Sequence, residues 1–445
     1  MPLRFTLHSN YIVFTTGSNM KNIKGAIASI ITIGDELLIG QVVDTNSAWI
    51  AQQLNALGIW VKRRIAVGDN REDIIQALER ESKDAALVII TGGLGPTADD
   101  ITKPVLCEYF GGKMIMNESV LKHVRYLSEV VYKRPFIQRN ALQAEVPDVC
   151  TVLHNERGSA PGMWFEKNDT IFISLPGVPF EMKGIMEMEA LPRIAEKFTT
   201  SQIVHRTIIT WGIGESFIAE RIKDWEEKLP EHIRLAYLPH YGIVRMRLTG
   251  KGNNRAVLES ELDQQCNKLQ LLVSEWLIAT GDLSLVSIIH SLLKAKGQTV
   301  GTAESCTGGY IAQMLTAEPG SSDIYKGSIV SYANEIKQSV LKVPETILQT
   351  NGAVSEETVT AMVKGALAIL NTNYVIATSG IMGPDGGTDS KPVGMVWIAA
   401  GSKSKTIARR FQFRFDRQRN IEIAAINALM LLRSVVLENE QVHVS

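Results

Sequence analysis

At 445 residues the chain has room for about three domains of ordinary size. Its 46 basic and 47 acidic residues leave a net charge of −1, so no global field exists to hold nucleic acid or an anionic membrane surface. Four scattered cysteines (Cys107, Cys150, Cys266, Cys306) form no CxxC pair, which argues against a zinc site or disulfide framework and fits a reducing, cytoplasmic compartment.

No run of about 18 apolar residues is evident, so no membrane span is expected. The first 19 residues lack a signal-peptide pattern, and Met20-Lys21 followed closely by a strand looks like a natural chain start. Residues 1–24 are therefore expected to be an extension, disordered or owed to a mis-called start codon. From Ala26 the chain alternates short β-branched runs with helical patterns: a strand to Ile33, a helix at Thr45–Leu57, a strand at Trp60–Val67, a helix at Arg71–Ser82 and a strand at Ala86–Thr91. Such alternation predicts βαβ units and a parallel sheet, with ligands bound beyond the carboxyl ends of its strands.

Two motifs stand at such ends: residues 34–40, GDELLIG, and residues 92–100, GGLGPTADD. Gly92, Gly93 and Gly95 would let backbone N–H groups approach an anion, with the helix start behind them adding partial positive charge. Thr97 stands in the same loop. Asp99 and Asp100 offer hard oxygens suited to Mg²⁺, and Asp69, which follows the second strand, could be a further ligand. The plain alternative is a turn followed by a helix cap.

From Arg193 to Ser274 the order becomes βαββα: a strand at Ile203–Trp211, a helix opening at Gly214, strands at Arg234–Leu238 and Gly242–Leu248, and a helix at Arg255–Leu272. This suits a small α+β module. It carries no GxxG loop of the kind RNA-binding KH modules use, and Arg245 and Arg247 alone make no basic stripe, so a spacer or dimerising element is expected. After a polar break at Thr280–Asp282 come a helix at Leu285–Lys296, a strand at Thr299–Ala303, and a second strand that delivers Tyr332 and Lys337. A helix at Ser355–Leu370, a strand at Tyr374–Ser379, a hairpin (Val393–Ala400 with Thr406–Phe415) and a closing helix at Asn420–Leu437 complete a mixed-sheet α/β domain.

Residues 302–337 gather small hydroxyls, a thiol, a phenol and an amine on loops, which marks a candidate catalytic centre. Two nucleophiles stay open. Ser322 could be activated by Lys337, given a lowered amine pKa, with Tyr332 as relay. Cys306, just ahead of a helix start, is the sharper choice from residue chemistry alone, since a thiolate is the better nucleophile. Its plain alternative is a small buried residue in a turn.

The segments GGLGPTADDITK (92–103) and ITIGDELLIGQVVDTNS (31–47) resemble the N-terminal domain of the CinA family, which is related to the MoaB/MogA fold. TAESCTGG, PGSS, SYANEIK, GAVSE, SGIMGPDGGT and KPVG resemble the family's C-terminal domain in order and spacing. The resemblance implies two three-layer α/β domains, 25–192 and 278–445, joined by a small α+β KH-type module, 193–277. It implies a bifunctional enzyme of pyridine-nucleotide recycling. The last domain would hydrolyse the carboxamide of nicotinamide mononucleotide (NMN) without a cofactor. The first would split ADP-ribose with a divalent metal, Mg²⁺ or Co²⁺. The alternatives are a single active domain beside a molybdopterin-like ligand-binding module, or a non-catalytic competence or DNA-repair partner.

Carried onto this chain, the resemblance tips the catalytic set to Ser322, Tyr332 and Lys337, with Ser321 as a neighbouring alternative. Substrate binding would fall to Glu304, Ser305, Cys306, Thr307, Gly308, Gly309, Asn334, Gly380, Gly383, Gly386 and Arg417. The substrate phosphate would rest on amides around 307–309 or on the 380–388 loop. In the first domain Gly92, Gly93, Gly95 and Thr97 would bind substrate, and Asp99, Asp100, Asp69 and Glu36 would hold the metal. Met382 and Phe415 depart from the family pattern and would crowd or reshape the pocket. A cytoplasmic homodimer acting on small nucleotides, with no direct nucleic-acid or membrane contact, is expected.

Overall fold

The computed structural model describes residues 27–97, 99–198 and 202–443, and the extension expected at 1–24 lies outside them. The chain divides into two compact units. One runs up to His205 and takes in 231–233 and 249–262; the other comprises 206–230, 234–248 and everything from 263 onward.

The first unit is organised by a six-stranded sheet. Its elements are β1 (Ile27–Ile33), α1 (Thr45–Ala56), β2 (Trp60–Val67), α2 (Arg71–Asp84), β3 (Leu87–Thr91), α3 (Thr102–Phe110), β4 (Thr151–Leu153), β5 (Gly162–Lys167) and β6 (Thr170–Leu175). Alternate residues of β1 serve opposite cores. Ala28 and Ile30 pack with Ile50 and Leu54 of α1, while Ile31 and Ile33 pack with Ile74 and Leu78 of α2. Burial on both faces is why β1 and β3 read as unbroken apolar runs. The strand order is β2-β1-β3-β6-β5-β4. The three expected strands pair parallel and β6 adds a fourth, but β5 runs against them, antiparallel to both β6 and β4, so the sheet is mixed. The reversal is made at Asn168-Asp169, both with positive φ, a two-residue turn whose twist suits a hairpin.

The middle segment forms β7 (Gln202–Trp211), α4 (Glu215–Glu226), β8 (Ile233–His240), β9 (Ile243–Gly252) and α5 (Arg255–Leu272), the expected βαββα order. A further strand, β10 (Leu277–Thr280), pairs antiparallel with β7 where the sequence reads as running into a polar break.

The last domain contains α6 (Leu285–Ala295), β11 (Val300–Glu304), α7 (Tyr310–Thr316), β12 (Tyr325–Val330), α8 (Asn334–Ser339), α9 (Glu356–Leu370), β13 (Tyr374–Gly380), β14 (Met395–Gly401), β15 (Thr406–Gln412) and α10 (Arg417–His443). Its sheet order is β12-β11-β13-β14-β15. The first three strands are parallel, and β14 and β15 form the expected antiparallel hairpin. One face packs on α6, α7 and α10, the other on α9. By length and composition α10 could cross a membrane, against the expectation of no such stretch. Two-thirds of its apolar window is buried, and Ala424, Leu429, Leu432 and Val436 lie in the core.

Candidate functional site

Parallel pairing brings the carboxyl ends of β11, β12 and β13 together, with Glu304 level with Val330 on one side and Thr378 on the other. One residue further, the Ser305 N–H donates to the Thr378 carbonyl (3.0 Å) and the Ser331 N–H to the Glu304 carbonyl (2.8 Å). The first loop therefore begins from a fixed position. Lys337, on α8, is 1% exposed, and its Nζ donates to Ser305 Oγ (3.0 Å) and to the carbonyls of Ser331 (2.8 Å) and Tyr332 (3.1 Å). None of those partners is charged, and burial pulls the Lys337 amine below its ordinary pKa. A buried amine of weakened basicity on a serine hydroxyl can take that proton as a general base.

Glu304 supports this loop from beneath. Fully buried, it accepts from Thr307 Oγ1 (2.7 Å), Thr302 Oγ1 (3.2 Å) and the N–H groups of Gly309, Ile311 and Ala312. A carboxylate on the strand thus caps α7, and Gly309, at φ 97°, makes the left-handed step into the helix. The amides expected to cradle the substrate phosphate are already engaged, Gly309 N–H by Glu304 and Gly308 N–H by the Ser305 carbonyl. Glu304 and Thr307, which also meets Thr378 Oγ1 at 2.8 Å, hold the loop and do not line an open pocket.

The expected catalytic set is not brought together. Ser322 is exposed in a turn ahead of β12, whereas Tyr332 and Lys337 follow that strand. Six residues of β12 lie between them, about 20 Å at the usual rise of a strand. Ser321 stands at the same wrong end, its hydroxyl bonded to the carbonyls of Leu315 and Glu318. Cys306 lies in the apolar core, and burial pushes its thiol up to about 12, which disfavours the thiolate. Tyr332 helps in a way the sequence does not suggest: its carbonyl holds Lys337, while its exposed phenol accepts from Arg417 (3.2 Å). Asn334 is exposed at the start of α8.

Arg417 opens α10 and also donates to the Gly383 carbonyl (2.8 Å), tying Tyr332 to the 380–388 loop. In that loop Gly383 is buried, Gly386 is exposed, and Gly380 ends β13. Met382 is buried in the apolar core, whereas Phe415 is exposed close to Arg417 in the chain. Ser331 is a residue that sequence reasoning misses: fully buried next to Lys337's partners, its hydroxyl has no hydrogen-bond partner.

In the first domain the motif loops do stand at the ends of β1 and β3. A Cβ on Gly92 (φ 118°) would meet the Ile33 carbonyl oxygen at 2.1 Å, so this glycine is required by close packing of the two strand ends. Gly93 packs as tightly on Thr102, and the Gly95 N–H donates to Asp100 (2.8 Å). Asp100 also accepts from the Thr97 N–H (3.0 Å) and hydroxyl (2.5 Å), so it closes its own loop. Asp69 and Asp35 each accept the other's backbone N–H. Asp69 is held above the usual carboxylate range by burial, with the charges of Asp35, Glu36 and Asp99 adding to it. Among the described residues no three of His, Cys, Asp and Glu stand close enough to hold one ion. As arranged, Asp99, Asp100, Asp69 and Glu36 are not gathered around one point: Asp100 spends both oxygens on its own loop, and Asp69 Oδ2 accepts the Asp35 N–H.

Asn46, which the sequence does not single out, joins three loops of this site. Its Nδ2 donates to Thr91 Oγ1 (3.1 Å) and the Gly177 carbonyl (2.8 Å), and its buried Oδ1 has no partner. Lys103, 5% exposed, donates to the carbonyls of Leu142, Gln143 and Glu145, and burial lowers it to about 8.

Three-layer α/β domains with polar groups gathered at the carboxyl ends of their strands are consistent with an enzyme. Residues 29–196 match the family described as a probable molybdopterin binding domain, 205–278 the KH domain of damage-inducible protein CinA, and 282–436 the CinA C-terminal domain. A CinA-like protein of Flavobacterium psychrophilum is 45% identical over 413 residues, covering 93% of this chain and 99% of that protein. One from Cytophaga hutchinsonii is 44% identical over 411 residues, covering 92% and 98%. A crystal structure of a CinA superfamily protein from Klebsiella pneumoniae is 33% identical over 35% of this chain and 96% of its own, with a TM-score of 0.34. The chain belongs to the CinA family, with a MoaB/MogA-like domain, a KH-type module and a CinA C-terminal domain in that order.

Proposed function

We propose that the last domain hydrolyses the carboxamide of NMN to nicotinate mononucleotide and ammonia, with Ser305 as nucleophile and Lys337 as its base. The observation that carries this reading is the buried Lys337 amine 3.0 Å from Ser305 Oγ, with only neutral partners. Neutral Lys337 takes the Ser305 proton as Oγ adds to the amide carbon. The resulting ammonium returns that proton to the nitrogen, which leaves as ammonia while the acyl group stays on Ser305 as an ester. Water, deprotonated by the same amine, cleaves the ester and restores Ser305. Arg417, which lies beside the Tyr332 phenol and the 380–388 loop, would meet the substrate phosphate. Ammonia release from NMN by Ser305→Ala and Ser322→Ala tests the assignment: loss in the first and activity in the second supports it, and the reverse overturns it.

A second activity, division of ADP-ribose into AMP and ribose 5-phosphate, is proposed for the first domain. It is favoured by the carboxylates grouped around Asp69, whose mutual repulsion a bound cation would relieve. Since these residues form no ion site as arranged, no step is assigned to a metal. Assaying ADP-ribose with and without Mg²⁺ or Co²⁺ decides it. Turnover of neither compound would leave the reading of a non-catalytic partner protein.

A further inference from the structure

The hairpin that joins β8 to β9 turns at Tyr241-Gly242, with φ of 47° and 84°. Two successive left-handed residues make the turn type that normally takes Asn-Gly, and a bulky side chain at the first position is strained. A strained residue kept in place invites the question of what its side chain does. Here the Tyr241 hydroxyl donates to Glu422 Oε2 (3.0 Å) on α10. The other carboxylate oxygen of Glu422 accepts from Gln418 (2.9 Å), in the first turn of the same helix. The neighbouring Arg417 spans the Gly383 carbonyl and the Tyr332 phenol, and the Tyr332 carbonyl holds Lys337.

This contact lies within one compact unit, which includes both 234–248 and the last domain. It is also not isolated. Ile209 and Ile243 of the middle module are buried in the core that contains α6 and α10, with Trp211, Tyr241, Ile278 and Ala279 packed against it. Arg433 of α10, half-way along the helix, donates to the Ile278 carbonyl (3.2 Å), and Arg245 pairs with Asp282. The part of the module that belongs to this unit is thus fixed to the domain at several points, and the Tyr241 hairpin is the one that meets Glu422, one turn from Arg417.

We propose that Tyr241 is a positioning residue for the reaction centre of the last domain, acting through Glu422 and the first turn of α10 on Arg417. The middle module then serves catalysis by fixing a helix start. The proposal rests on the reading of the Ser305–Lys337 site, and its test separates the two.

Full-length Tyr241→Phe and Tyr241→Asn are compared with wild type. Asparagine suits the turn better than tyrosine, so Tyr241→Asn keeps or raises the melting temperature while removing the hydroxyl. Both variants should raise KM for NMN about fivefold with kcat changed less than about twofold, the scale of one lost hydrogen bond that orients a binding group. Neither should raise KM further in an Arg417→Ala background. Amide hydrogen exchange should quicken at 380–388 and 415–420 in both. Unchanged KM and unchanged exchange in both variants, or effects that add to Arg417→Ala, would overturn the proposal. If wild type releases no ammonia from NMN, the reading of the site fails by itself. Exchange then decides the positioning role: faster exchange upholds it and unchanged exchange ends it.

Discussion

The two α/β domains place polar residues at the same topological position, the carboxyl ends of parallel strands, yet the two sites differ in readiness. In the last domain the polar groups are buried and each is directed: Glu304 holds a helix start, and Lys337 is held by two carbonyls onto one hydroxyl. In the first domain the carboxylates face backbone donors, Asp100 within its own loop and Asp35 and Asp69 across two loops, and those around Asp69 repel one another. A desolvated amine beside a serine is already reactive, whereas a group of acids becomes functional only with a partner of opposite charge. Position in the fold marks where ligands bind. Burial and pairing decide which chemistry is prepared there.

Removing the prepared pair should give the largest effect. Ser305→Ala is expected to lower kcat for ammonia release from NMN by about 10³-fold or more, while Ser322→Ala stays within about twofold. Lys337→Arg, which keeps the charge but cannot act as a base at neutral pH, should cost as much as Ser305→Ala, and the double variant no more than either. Additive losses would show that the two side chains do not work as a unit.

The next effect is on pH. Burial places Lys337 below its ordinary value near 10.5, so the folded protein binds a proton there less readily than the unfolded chain. Two consequences share one sign. The neutral, base-competent amine becomes more abundant as pH rises, so kcat/KM should climb on a single limb whose midpoint lies below about 10.5. Stability from this group is also recovered as pH rises through that window, the charged form being the disfavoured one in the fold. A limb with an unshifted midpoint, measured from pH 6 to 11, would count against the buried amine as base.

A smaller effect separates support from chemistry. Glu304→Gln leaves one acceptor oxygen where the carboxylate had two and turns an amide donor toward other donors. The expected cost is about 2–3 kcal/mol of stability, read by urea unfolding, because buried N–H groups lose their partner.

Much of the fold is legible in the sequence wherever one local rule dominates. The strand at 60–67 and the helix at 255–272 have the bounds their patterns suggest, and the β14–β15 hairpin follows from two apolar runs and a short polar turn. The antiparallel β4–β5–β6 edge is not legible as such, since direction of pairing is a property of the whole sheet. The site shows the same division. Lys337 and the 302–309 loop stand out by composition, but choosing among Ser305, Ser321 and Ser322 requires knowing which end of β12 each occupies. Ser322 precedes that strand and Lys337 follows it, so strand direction alone excludes the pair once β12 is placed at Tyr325–Val330. Cys306 misleads for a different reason: proximity to a helix start favours a thiolate, and burial outweighs it.

The smallest expected effect would sharpen the contrast from the other side. Asp69 is held above the usual carboxylate range, chiefly by burial and further by Asp35, Glu36 and Asp99. Its folded form therefore takes up a proton more readily than the unfolded chain, so its charge opposes folding at neutral pH and the penalty fades as pH falls through the raised value. Asp69→Asn should then stabilise the metal-free protein slightly, by less than about 1 kcal/mol for a partly exposed group, and the gain should shrink in salt. Mg²⁺ or Co²⁺ would reverse the order if the carboxylates take a cation, raising the melting temperature of wild type more than that of Asp69→Asn, since a ligand that binds only the folded state stabilises it. Thermal melts of both proteins with and without metal read this directly. Equal shifts in the two would mean that Asp69 holds no ion, leaving the first domain's acids as loop closures and the last domain as the only site with prepared chemistry among the described residues.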